Sequence, residues 1–178
     1  MKTRELVRSA LLVSAALALS YLERFIPLQL IIPLPGVKLG LANIVTMFAL
    51  YFLNVKQGFM ILIVRCVLGS AFGGGLSGLA MSFTGGILAY GMMAAAKKVP
   101  VFSVYGVSIL GAAAHNLGQV VAAGVMMGTV FTFYYLPFLL AVAIGVGIIT
   151  GTLASVTFQA LDRLPQPQTF HRAGDLST

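Results

Sequence analysis

The side chains best placed to do chemistry in this sequence are those that interrupt its apolar runs. His115, Asn116 and Gln119 sit within the run from Val99 to Val130. His115 and Gln119 are one helical turn apart and Asn116 lies three before Gln119, so on a helix they form a polar patch over roughly a third of the circumference. Arg65 is a second interruption, with six apolar residues before it and three after it. An arginine at that depth costs on the order of 2.5 to 3.5 kcal/mol by insertion scales, so it must face a partner, a ligand or water. No Asp or Glu lies inside any apolar span. The partner is therefore a carbonyl, a neutral polar group or something brought from outside. Such groups hold a polar guest, or they hydrogen-bond between helices and fix the bundle, and spacing alone leaves both readings open.

Bond-making chemistry has little to work with here. Four acidic residues are too few for much catalysis by paired carboxylates, and Glu23, Asp162 and Asp175 are not placed as a pair. There is no aspartate-rich motif to hold magnesium on a diphosphate. The glycine-rich run Gly69 to Gly78 lacks the Gly-Lys-Ser/Thr ending of a phosphate-binding loop. His115 has only His171 as a second histidine, and Cys66 is the single cysteine, so no metal cluster and no disulfide within the chain are expected. The expectation is a protein that is not an enzyme by itself and uses no cofactor and no metal.

The elements that must position these residues follow from composition. A chain of 178 residues that is 59% hydrophobic and 8% charged, with a mean hydropathy of +1.00, lies far outside the soluble range. The fold expected is an all-α integral membrane protein, a bundle of six transmembrane helices occupying 1–161. The formal charge of +7 is dispersed between apolar runs and forms no continuous basic face, so it gives topology and not a nucleic-acid partner. The partners expected are the lipid bilayer and a small-molecule substrate.

Helix one is expected over 3–25, ended by Pro27, which lacks an N–H and restricts the residue before it. It is long enough to be a retained span and not a cleaved signal. Its Ala10, Ser14 and Ala18 repeat every four residues, a small-residue stripe that lets another helix approach closely. The segment Pro27 to Gly36 holds three prolines among oily residues, so it should cap the protein's own interior or lie at the interface. Helices two to six are expected over 39–53, 59–72, 79–96, 100–128 and 136–161, with Gly69 to Gly78 as a connection and Pro137 in the first turn of helix six. The tail 162–178 is expected to be mobile.

Six spans put both termini on one side, with Lys2, Arg4, Arg8, Lys56, Lys97, Lys98, Arg163 and Arg172, against Arg24 and Lys38 on the other. By the positive-inside rule both termini are cytoplasmic. Helix five then runs outward and carries Gln119 about 6 Å further out than His115. Asn43 near the outer end of helix two, Arg24 and Lys38 beside the proline-rich segment, and Tyr135 at the outer face complete a candidate pocket with Arg65, His115, Asn116 and Gln119. Its three cations against Glu23 suit an anionic or strongly polar ligand. For Tyr135 an interfacial aromatic belt is the alternative.

Four stretches carry a resemblance to a known family: Ser20-Tyr21-Leu22-Glu23-Arg24-Phe25-Ile26-Pro27, Pro35-Gly36-Val37-Lys38-Leu39-Gly40-Leu41-Ala42-Asn43, Arg65-Cys66-Val67-Leu68-Gly69-Ser70 and His115-Asn116-Leu117-Gly118-Gln119. Together they resemble the bacterial Gx transporter family, also labelled heptaprenyl diphosphate synthase component I, over about residues 5 to 160. That family is similar to the substrate-binding S components of energy-coupling factor (ECF) importers, six-helix proteins that hold a micronutrient near the outer face. The resemblance implies a bacterial plasma-membrane protein in which Ala10, Ser14 and Ala18 meet an ECF-type coupling subunit driven by ATPases, and Pro27 to Lys38 is a lid. The synthase label implies instead a non-catalytic membrane accessory of prenyl diphosphate or menaquinone metabolism.

Overall fold

The computed structural model describes residues 3–26 and 38–163, and every regular element among them is helical. The helices are α1 (Thr3–Leu22), α2 (Asn43–Phe52), α3 (Val55–Gly69), α4 (Gly75–Lys97), α5 (Val104–Met127) and α6 (Leu136–Asp162). Short 3-10 segments follow α1 (Glu23–Phe25) and precede α6 (Phe131–Tyr135), and a π-helical segment (Ser70–Gly74) joins α3 to α4. The expected Pro27 to Gly36 cap and the tail from 164 onward lie outside the described residues.

Five of these helices are long and apolar enough to cross a membrane, and α2 is the exception. Its ten residues reach only about 15 Å, half the hydrocarbon thickness. The apolar run places the start of helix two at 39, but Lys38 to Ala42 are not helical, and Gly40 takes a left-handed φ of +85° that a helix forbids. The first turn of α2 therefore lies in the protein interior. Gly40 packs against the ring of His115, midway along α5, whereas Leu50 near the other end of α2 accepts from Lys97 Nζ at 2.9 Å, where α4 terminates. Non-helical backbone at this depth is tolerable because protein, not lipid, surrounds it.

The remaining boundaries shift for local reasons. Helix α3 starts at Val55 and not at 59, because the Asn54 side chain accepts from Gln57 N–H at 2.8 Å and satisfies a first-turn donor. Ser103 does the same for Gly106, placing the start of α5 at Val104, and Gly128 at φ +62° ends it. The glycine-rich connection proves mostly helical: α4 begins at Gly75 and not at 79, after the widened π turn.

Helices α4 and α5 cross on glycine. A Cβ on Gly118 would stand 2.6 Å from Gly85 Cα, and Thr84 Oγ1 bonds the Gly118 carbonyl at 3.1 Å. Small residues bring the backbones together and allow a hydroxyl to bridge them. One apolar cluster, with Met47, Leu50, Leu62, Tyr90, Met93 and Phe158, fills the half of the bundle around α2. A second, around Met81, Val120, Ala123 and Leu139, fills the other half. Between them lies the polar layer.

Candidate functional site

The layer is assembled from five pieces of chain. Helix α3 supplies Arg65, α4 Ser82 and Thr84, α5 His115 and Gln119, the start of α2 and the stretch leading into it Asn43, Lys38 and Gly40, and the 3-10 turn after α1 Glu23. Arg65 and Asn43 are each more than nine-tenths buried, and Arg65 Nη2 donates to Asn43 Oδ1 at 2.7 Å. The arginine thus finds a neutral amide partner on another helix and not the carbonyls of a broken helix end. Four polar atoms here are buried with no hydrogen-bond partner among the described residues: Arg65 Nε, Asn43 Nδ2, Thr46 Oγ1 and His115 Nδ1. Such atoms cost roughly 1 to 3 kcal/mol each unless something fills them.

Gln119 is fully enclosed and fully engaged. Its Oε1 accepts from Lys38 N–H and its Nε2 donates to Lys38 C=O, both at 3.0 Å, while Nε2 also meets His115 Nε2 at 2.6 Å. That contact needs the unprotonated Nε2 of the imidazole as acceptor. Lys38 itself is half-buried, with Nζ donating to Ser82 Oγ at 3.3 Å. Glu23 is 4% exposed and accepts from Gly40 N–H. Burial pushes its carboxyl above the ordinary glutamate range, while the N–H groups of Gly40 and Leu41 and the charges of Lys38 and Arg65 pull it down. A small cavity of about 10 Å³ beside Gly40 and Asn43 extends towards Ser108 and Thr150, room for about one water.

Of the residues singled out in the sequence, Arg65, His115, Gln119, Asn43 and Lys38 come together. Asn116 does not: its Nδ2 donates to Leu139 C=O on α6 at 2.7 Å, which makes it a bond between helices. Tyr135 packs beside the second apolar cluster. The Arg24 side chain lies outside the described residues. Ala10, Ser14 and Ala18 are exposed on α1, where Ala10 and Ser14 line an apolar groove of about 650 Å³ between α1 and α3. Sequence reasoning missed Gly40 and the role of Glu23. The signal for Gly40 is a glycine between a lysine and an asparagine outside any glycine run. Glu23 reads as interfacial beside Arg24, and only the fold turns it inward. Among the described residues, no three His, Cys, Asp or Glu are grouped to hold a metal ion.

Residues 12–157 match the model of the family described as heptaprenyl diphosphate synthase component I. No curated protein and no solved structure matches the chain.

Proposed function

This chain belongs to the heptaprenyl diphosphate synthase component I family, and we propose that it acts as a membrane-embedded binding subunit for uptake of a small anionic or polar solute. The observation that carries this reading is the half-length helix α2, whose N-terminus opens in the bundle interior beside Arg65 and Lys38. A helix N-terminus is electropositive, and interrupted helices with such ends inside a membrane suit the anionic groups of transported solutes. The buried donors Arg65 Nε and Asn43 Nδ2 supply hydrogen bonds that the described residues leave unused. The helix order places Arg4, Arg8, Lys56, Lys97 and Lys98 on one side, which we assign to the cytoplasm, so that the solute enters from the opposite face. In this reading the exposed Ala10, Ser14 and Ala18 face a coupling subunit that brings its own ATPases.

Native mass spectrometry of protein purified in mild detergent tests this directly. A retained solute, lost in Arg65→Met and Asn43→Leu at unchanged folded yield, supports the reading. Wild-type protein that carries none, and whose melting temperature no small carboxylate, phosphate or neutral polar solute raises in a saturable manner, overturns it.

The family description favours a second reading, a non-catalytic membrane accessory to a prenyl diphosphate synthase. It predicts that the chain copurifies with a synthase and changes its rate or product length. A synthase whose kinetics are indifferent to the chain would remove this alternative.

A further inference from the structure

We infer that the small cavity beside Asn43 is a binding site for one ordered water, and that this water lets Ser108 and Thr150 position the Asn43–Arg65 pair from α5 and α6. The water site stands on geometry alone; its bearing on a bound solute rests on the uptake reading.

Arg65 fixes which way the Asn43 amide faces. A guanidinium only donates, so the atom that meets Arg65 Nη2 at 2.7 Å must be the amide oxygen. Nδ2 is left on the side of Gly40, 2.9 Å from where a Cβ on that residue would stand, and has no partner among the described residues. Gly40 and Asn43 both line the cavity of about 10 Å³, and so do Ser108 and Thr150. That volume takes about one water.

The two hydroxyls supply what the amide lacks. Thr150 Oγ1 donates its single hydrogen to the Val146 carbonyl at 2.8 Å, so in the 2.7 Å contact between Ser108 Oγ and Thr150 Oγ1 it is Ser108 that donates. Both hydrogens are then engaged, and each oxygen keeps a lone pair. Asn43, Ser108 and Thr150 are all more than nine-tenths buried, and the other side chains lining the cavity are apolar. A donor and two acceptors therefore share a one-water space closed to bulk solvent. A water accepting from Asn43 Nδ2 and donating to the two hydroxyls makes three bonds, the usual number for a buried water.

With the water in place the bonds run in one direction, from Arg65 through Asn43, the water, Ser108 and Thr150 to the Val146 carbonyl. They tie α3 and α2 to α5 and α6. Ser108 and Thr150 act on Arg65 only through Asn43, which makes them positioning residues. Nδ2 carries two hydrogens, so one bond to the water leaves the other for a solute, beside Arg65 Nε.

An experimental structure of the whole chain, at a resolution that shows ordered waters, tests the site without any variant. Density within hydrogen-bond distance of both Asn43 Nδ2 and Ser108 Oγ is expected. An empty cavity, or Asn43 Nδ2 on a protein acceptor, overturns the inference. Thermal unfolding gives a second test: the melting-temperature losses of Ser108→Ala and Asn43→Leu should not add in the double variant, although no direct bond joins the two side chains. Strict additivity overturns the link; should Asn43→Leu fail to fold, the density decides alone. For positioning, Thr150→Val keeps the shape and removes the hydroxyl, whereas Thr150→Ser keeps the hydroxyl. Whichever solute measurement is positive for wild type, retention or saturable stabilisation, should weaken by about twofold or more in Thr150→Val and recover in Thr150→Ser. Equal weakening in both variants overturns the positioning role. If wild type fails both solute measurements while the water is present, the site stands and only its link to a solute is removed.

Discussion

The side chain of Gln119 brackets the backbone of Lys38, accepting from its N–H and donating to its C=O, both at 3.0 Å. The amide replaces a neighbouring strand or helix for a stretch of backbone that has neither, and it holds the entry to α2 against α5. Gln119→Leu removes the bracket at similar volume and leaves both Lys38 groups without it in a part-buried place. The expected loss is about 2 to 4 kcal/mol, at the high end for one substitution. Thermal unfolding in detergent measures it, and a change under about 0.5 kcal/mol would show that the bracket contributes nothing.

Glycine at the α4–α5 crossing is required by space. The Cβ of Gly118→Ala would fall 2.6 Å from Gly85 Cα and 2.8 Å from Thr84 O, both backbone atoms that cannot turn aside. Overpacking of this kind costs about 1 to 3 kcal/mol. Gly91→Ala, in α4 with nothing within 4 Å of its Cβ, should instead be neutral or stabilising by up to about 1 kcal/mol. Equal melting temperatures for the two variants would refute the close approach.

Helix α2 is held at its C-terminal end by a charge from elsewhere, Lys97 on the Leu50 carbonyl. The sign matches the helix dipole. Lys97 also lies over the Tyr51 ring, 4.7 Å from its centre. Lys97→Met should cost about 1 to 2 kcal/mol through the lost charged hydrogen bond. Faster hydrogen exchange confined to the last turn of α2 is the signature expected, and unchanged exchange there argues against a capping role.

Glu23 predicts a pH dependence with a definite sign. Burial raises its carboxyl above the ordinary value of 4.5, outweighing the opposing pull of Gly40, Lys38, Leu41 and Arg65. A raised value means that the folded chain holds this proton more tightly than the unfolded chain does. The contribution is therefore complete below the ordinary glutamate value and declines as pH rises through the folded one. Melting temperatures of wild type and Glu23→Gln, compared across that window, should diverge with rising pH. Parallel curves would assign the slope to other groups.

The membrane character and five of the crossing helices follow from local properties of the chain, because a run of about twenty apolar residues in lipid can satisfy its backbone only as a helix. The need of Arg65 for a partner, and the polar patch on α5, are legible for the same reason: charge and amide groups in hydrocarbon require company wherever they occur. Which company is decided by tertiary structure. The partners lie 17 positions apart for Glu23 and Gly40, 22 for Asn43 and Arg65, and 81 for Lys38 and Gln119. Periodicity cannot relate such positions. Asn116 belongs to the same sequence patch as His115 and Gln119, yet a rotation of about 100° per residue turns it to α6. The half-length of α2 was equally hidden, since residues 39–53 read as one short apolar run. Only the packing of Gly40 against His115 stops the helix at Asn43, by demanding a left-handed backbone in a space too small for a side chain.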